Sequence, residues 1–157
     1  MPPPPTIDIR RATLAELDPL LALEQSSFTS DRISRRQWRR YIENATTAVL
    51  VGGRPGGIDA AAVVFYRRGG HSARLYSLAV ATRARRAGLG RALLAAVEAD
   101  AGSRGCDTLR LEVAVDNAAA IALYEQLGYV RGERLARFYE DGADAWRYVK
   151  SLSTPAS

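Results

Sequence analysis

The chain holds one cysteine, one histidine, one methionine and one lysine, and these scarcities exclude whole classes of chemistry. Cys106 alone forms neither an internal disulfide nor a thiolate zinc cluster. His71 alone removes most catalytic metal sites and the Ser-His-Asp and Cys-His classes, unless His71 itself serves. Lys150 lies in no Gly-Lys-Ser/Thr element, so there is no Walker A loop. It also stands too near the tail to be a good Schiff-base lysine. No apolar run approaches the ~20 residues that span a bilayer. Met1 followed by Pro2 to Pro5 offers neither a basic nor an apolar leader segment, so no signal peptide and a cytoplasmic protein without membrane association are expected.

At 157 residues, 47% hydrophobic and 25% charged, the chain is of a size and composition for one soluble domain. The apolar content suffices for a core, which excludes disorder of the whole chain. With one lysine among 22 basic residues, 21 are arginines, set against 17 acids for a net charge of +5. That balance favours anionic partners, namely nucleic acid, anionic metabolites or phosphate-bearing cofactors. A GC-rich genome produces the same arginine and alanine bias.

Residues 1–5 read as a disordered tail, 6–152 as one domain and 153–157 as a second tail. Thr6 to Arg10 alternates around Ile7 and Ile9 as a strand does. Thr13 with Glu16, and Ser34 with Gln37, are capping boxes. They predict an apolar-striped helix through about residue 28 and a short basic helix through about Glu43. Thr46–Val51 and Ile58–Arg67 read as strands around a Gly- and Pro-rich hairpin turn at 52–57, followed by Ser72–Val80. A helix over Arg91–Arg104 ends at Gly105. Thr108–Val113 is a strand, Asn117–Leu127 a helix, and Tyr129–Glu133 and Ala145–Lys150 are strands. The order β-α-α-β-β-β-α-β-α-β-β predicts an α/β (α+β) fold.

The strand ending at Leu78-Ala79-Val80 is followed by a basic turn, Arg85-Arg86-Ala87-Gly88-Leu89-Gly90-Arg91, and then by a helix. A helix start offers unpaired N–H groups and about half a positive charge, and glycines let a phosphate come close. The Rossmann fingerprint fails, because Leu93 stands where its third small residue is needed. A second stretch runs Leu111-Glu112-Val113, then Asn117-Ala118-Ala119-Ala120-Ile121-Ala122-Leu123-Tyr124, then Leu127-Gly128-Tyr129. On these residues alone, Glu112 is either functional or a solvent-facing strand position, and Tyr124 either functional or a core aromatic. Asn117 is an N-cap in any case. Cys106 reads as a small buried hydrophobe and His71 as an exposed turn residue.

Both stretches resemble the GNAT acyltransferase superfamily, with the second most like its ribosomal-protein-alanine N-acetyltransferase branch. Arg85-Arg86-Ala87-Gly88-Leu89-Gly90 matches the superfamily's acetyl-CoA motif, Q/R-x-x-G-x-G/A. The resemblance runs from about Leu75 to Tyr129, with a weaker echo at Arg137-Phe138-Tyr139 and 142–145. It implies a mixed, mostly antiparallel sheet flanked by helices on both faces. It also implies acetyl-CoA as co-substrate, with no metal. By the same resemblance, the backbone of Leu78, Ala79 and Val80 pairs with the pantetheine arm. Arg85, Arg86, Ala87, Gly88, Leu89, Gly90 and Arg91 would surround the pyrophosphate, and Asn117 would touch the cofactor. Glu112 would be the general base and Tyr124 the general acid.

The implied acceptor is a primary amine, first a protein N-terminal α-amine, with a small-molecule amine or a lysine as the alternative. A non-catalytic acyl-CoA-binding module is a further reading, and a nucleic-acid domain lacks the aromatic stacking pattern it would need. A monomer or a homodimer is expected. The sequence departs from the branch at 32–40, where Arg32, Arg35, Arg36, Arg39 and Arg40 make either a solvated basic helix or a surface for an acidic partner.

Overall fold

The structure, a computed structural model, describes residues 8–53 and 57–152, except for the side chains of residues 85–87. Both expected tails, Thr6 and Ile7 of the first strand, and Pro55 and Gly56 of the hairpin turn therefore lie outside the described residues. So do the side chains of Arg85, Arg86 and Ala87.

Seven strands form one sheet: β1 (Asp8–Arg11), β2 (Thr47–Gly53), β3 (Ala60–Phe65), β4 (Ser72–Val80), β5 (Thr108–Ala114), β6 (Val130–Leu135) and β7 (Ala145–Ser151). Four helices join them: α1 (Leu17–Ser27), α2 (Arg35–Glu43), α3 (Leu89–Ser103) and α4 (Ala118–Gln126). The strand order is β1-β2-β3-β4-β5-β7-β6. Every neighbouring pair is antiparallel except β4 and β5. This is the mixed, mostly antiparallel sheet expected, in the expected element order.

Successive side chains along a strand point to opposite faces, and Phe65 and Tyr66 show which helices cover which. Phe65 meets Tyr41 of α2, ring centroids 5.2 Å apart. Tyr66 donates to Asp100 of α3 at 2.5 Å. α2 thus covers one face and α3 the other. With both faces covered, β2 is buried at every position, which is why it reads as a continuous apolar run. Leu93, Leu94 and Val97 of α3 are fully buried, each stabilising the fold by about 1.5–3 kcal/mol.

Both capping boxes form. Ser34 Oγ accepts from the Gln37 N–H at 3.2 Å, and Gln37 Oε1 accepts from the Ser34 N–H at 2.9 Å. Thr13 and Glu16 instead enclose a 3-10 turn, Leu14–Glu16, and α1 begins only at Leu17. Pro19 accounts for the delay, because its ring is tolerated only in a helix's first turn. α3 starts two residues before the expected Arg91. A second 3-10 turn, Thr82–Ala87, runs into Gly88 at φ +75°, and the Ala92 N–H then donates to the Gly88 carbonyl at 3.0 Å.

Two irregularities shape the middle of the sheet. Val63 pairs with Ser77 but Val64 with Leu75, leaving Tyr76 as an extra residue that bends β4. The β4–β5 ladder stops at Leu75 and Leu111, although the strands run on to Val80 and Ala114. Cys106 is buried and His71 exposed, as expected of both. Among the described residues no helix is long and apolar enough to cross a membrane.

Candidate active site

Where β4 and β5 part, a cavity of about 600 Å³ opens. Its walls come from β4, β5, α1 with the loop after it, the start of α4, and the β6–β7 loop. Glu112, Tyr124, Leu78 and Asn117 all line it, so the parting brings together four expected residues from three elements.

Glu112 is not solvent-facing. Its side chain is only 4% exposed, and Oε1 lies 2.8 Å from Arg74 Nη2. Its other oxygen, Oε2, is buried with no hydrogen-bond partner. Four buried side-chain atoms among the described residues lack a partner, and three of them belong to Glu112, Arg74 and Arg147. Arg147 stands opposite Glu112 in the β5–β7 register. Such an atom is costly unless something else meets it.

Tyr124 is buried at the same cavity, and burial holds its hydroxyl well above the usual phenol range, with Tyr139 adding to the effect. Two tyrosines packed against it, Tyr129 and Tyr148, donate to Glu98 at 2.8 Å and to Glu125 at 2.6 Å. The Tyr124 hydroxyl makes no such bond among the described residues, which leaves its proton available to whatever enters the cavity.

Tyr139, named in the sequence within the weaker echo, also lines the cavity, while sequence reasoning missed Glu24, Arg74 and Tyr76. Tyr139 is pushed up to about 12 by burial and by the negative charge of Glu112. Glu24 is 2% exposed and accepts the Ile33 N–H at 3.0 Å, and its carboxyl is raised mainly by burial. Glu24 was findable, because it lies four residues after Leu20 on the apolar face of α1. Arg74 and Tyr76 carried no signal, since their importance comes from the bulge.

The expected phosphate turn divides in two. Gly88 is exposed at φ +75°, with nothing within 4 Å of where a Cβ would stand. That open backbone at the start of α3 fits an anionic group such as a phosphate. Gly90 is buried, and a Cβ there would meet Val80 at 3.4 Å and Leu123 at 3.6 Å. It lies where α3 packs against β4 and α4. Leu89 and Ala79 are also buried. Arg91 donates to Gln126 at 3.0 Å, and Asn117 caps α4 by accepting from the Ala120 N–H at 3.2 Å. Arg83 pairs with Asp59 at 2.6 Å and anchors the 3-10 turn. In the basic segment, Arg32 donates to the carbonyls of Phe28 and Gln25, and Arg35 pairs with Asp18. Arg36, Arg39 and Arg40 are exposed.

Comparison with known proteins matches residues 17–129 to the acetyltransferase (GNAT) family. N-alpha-acetyltransferase 30 of Schizosaccharomyces pombe is 49% identical over 47 residues, 30% of this chain and 31% of that protein. The [ribosomal protein bS18]-alanine N-acetyltransferase of Escherichia coli K12 is 53% identical over 57 residues, 36% of this chain and 38% of that one. The chain thus spans about a third of the length of these curated relatives. The crystal structure of the ribosomal-protein-S18-alanine N-acetyltransferase from Escherichia coli superposes with a TM-score of 0.84 at 28% identity, covering 97% of both chains.

Proposed function

The chain belongs to the acetyltransferase (GNAT) family, and from that premise we propose that residues 6–152 are one N-acetyltransferase domain acting on a protein N-terminal α-amine. Acetyl-CoA is the donor, and the amine attacks it directly in a ternary complex. The observation that carries this reading is the unpartnered, buried Glu112 Oε2 at the same cavity as the unbonded Tyr124 hydroxyl.

Among the described residues the cavity walls carry Glu24, Asp31, Glu112, Asp116 and Asp141 against one cation, Arg74. An acidic lining in a chain of net charge +5 draws in a cationic amine. At pH ~7.4 an α-amine with a pKa of ~8 becomes neutral at a cost under ~1 kcal/mol, against about 4 for a lysine amine of ~10.4. One carboxylate serves the α-amine readily. The names of the relatives above, acetyltransferases of N-termini and of a ribosomal-protein alanine, support the same acceptor.

Glu112 takes a proton from the ammonium, directly or through one water, and later releases it to solvent. The freed nitrogen forms its bond to the acetyl carbon while the carbon–sulfur bond breaks. Tyr124 gives its proton to the departing sulfur and recovers one from the acylated nitrogen. Backbone N–H groups of residues 78–80 stabilise the oxygen that gains charge. The open backbone at Gly88 holds the donor's pyrophosphate, which supplies binding at a distance from the reacting carbon.

The test is thiol release from acetyl-CoA with acceptor peptides whose N-terminus is free or blocked, each carrying an internal lysine. Release only with the free N-terminus is expected. Release that persists with the blocked peptide reassigns the acceptor to lysine.

A further inference from the structure

We propose that Arg74 is a positioning residue for Glu112: it holds one carboxylate oxygen and so leaves the other, unpartnered, to take the acceptor's proton. This role presupposes Glu112 as the base.

Charged and titratable groups approach Glu112 from several elements. Arg74 and Tyr76 come from β4, Arg147 from β7, Tyr139 from the β6–β7 loop and Tyr124 from α4. Glu24 and Asp31 come from α1 and the loop after it. The two arginines are engaged differently. Arg147 Nη1 donates to Glu133 at 2.5 Å, so its charge is already answered outside the cavity. Arg74 has one ion pair among the described residues, and it is with Glu112.

The aim of Arg74 is fixed from beneath. Its guanidinium carbon stands 5.5 Å from the centre of the Tyr76 ring, and Tyr76 stacks on Phe65 at 4.6 Å. Tyr76 is the extra residue of the β4 bulge, so the same irregularity that bends β4 builds the platform for Arg74. An arginine bound through Oε1 leaves Oε2 as the carboxylate oxygen without a hydrogen-bond partner.

The experiment measures kcat and KM for a free-N-terminal peptide with the full chain. It compares wild type with Arg74→Met, Arg74→Gln and Arg74→Lys. Acetyl-CoA affinity is measured by calorimetry in each variant to exclude loss of the fold. Met should lower kcat about tenfold, with the affinity for acetyl-CoA unchanged. Gln and Lys, which keep a donor for Oε1, should recover much of the loss, and Gln replaces Met in the comparison with Lys if Met does not fold. An unchanged kcat in Met, or a loss in Lys equal to that in Met, overturns the role of Arg74. Glu112→Gln is the separate control. If it abolishes turnover while the Arg74 variants stay at the wild-type kcat, the role of Arg74 fails alone, and if it leaves turnover intact, the base itself is wrong.

Discussion

Asp31 Oδ1 accepts the backbone N–H of Glu140 at 2.9 Å, tying the loop after α1 to the β6–β7 loop across 109 residues of sequence. Asp31 holds a left-handed backbone, φ +55°, which Asp and Asn tolerate better than other side chains bearing a Cβ. Both loops line the cavity, so the bond fixes the width of its mouth. Asp31→Ala should raise the KM for the acceptor peptide several-fold while leaving the KM for acetyl-CoA unchanged. Asp31→Asn, which keeps an acceptor oxygen and the backbone preference, should lie close to wild type. Equal effects on both substrates would place the loss in the fold rather than in the mouth.

Gly88 separates strain from charge. A Cβ there meets nothing, but φ +75° is unfavourable for any L side chain. Gly88→Ala should cost about 1–2 kcal/mol of stability, seen as a lower Tm. Gly88→Asp should add a loss of acetyl-CoA affinity that Ala does not show, because a carboxylate then stands where the pyrophosphate is placed. Calorimetry with both variants checks this, and equal affinities would remove the pyrophosphate from this turn.

Tyr124→Phe should lower kcat by about a hundredfold, the lower range for a lost acid–base group, with the KM for acetyl-CoA little changed. Burial holds the Tyr124 hydroxyl above the usual phenol range. The wild-type rate should therefore show no alkaline fall due to this group below pH ~10. A rate for the Phe variant equal to wild type would leave Tyr124 as a core aromatic only.

Two glutamates should act on stability with opposite signs. Glu24 is raised above its ordinary value by burial, so the folded state holds its proton more tightly and ionisation costs stability as pH rises. Glu24→Gln keeps an oxygen for the Ile33 N–H and should raise Tm at neutral pH, the gain vanishing below pH ~4. Glu16 is lowered to about 2, mainly by its hydrogen bond from Arg10. Its contribution is present above the ordinary carboxylate range and disappears as pH falls toward 2. Glu16→Gln should lower Tm near neutrality and leave it unchanged in strong acid. Thermal melts over pH read both signs.

The order of elements was legible because hydrophobic period and capping chemistry are local. Ser34 and Gln37 announce α2 within four residues, and Gly105 marks the end of α3. The error at α1 came from a capping box read without the constraint of Pro19 two residues inside the helix. Glu112, Tyr124, Leu78 and Asn117 were singled out in the sequence, and the fold brings all four to one cavity. Arg74, Tyr76 and Asp31 were not legible. Their roles depend on a register slip between Val63 and Val64 and on a contact between distant loops, and neither leaves a periodic trace. Gly90 was legible as a glycine, but its place against Val80 and Leu123 came only with the fold.

The short β4–β5 ladder makes the sheet two plates joined by a narrow seam. One plate holds β1 to β4, and the other holds β5, β7 and β6. Within the sheet, the run from Ser72 and Thr108 to Leu75 and Leu111 stitches them together. On the proposed placement of the donor, a slender arm laid between the plates beyond Leu75 would act as the missing rungs, so that substrate entry closes a mechanical joint as well as filling a space. Amide exchange at Leu78 should then slow when that arm is in place, far more than exchange in the fully laddered β2.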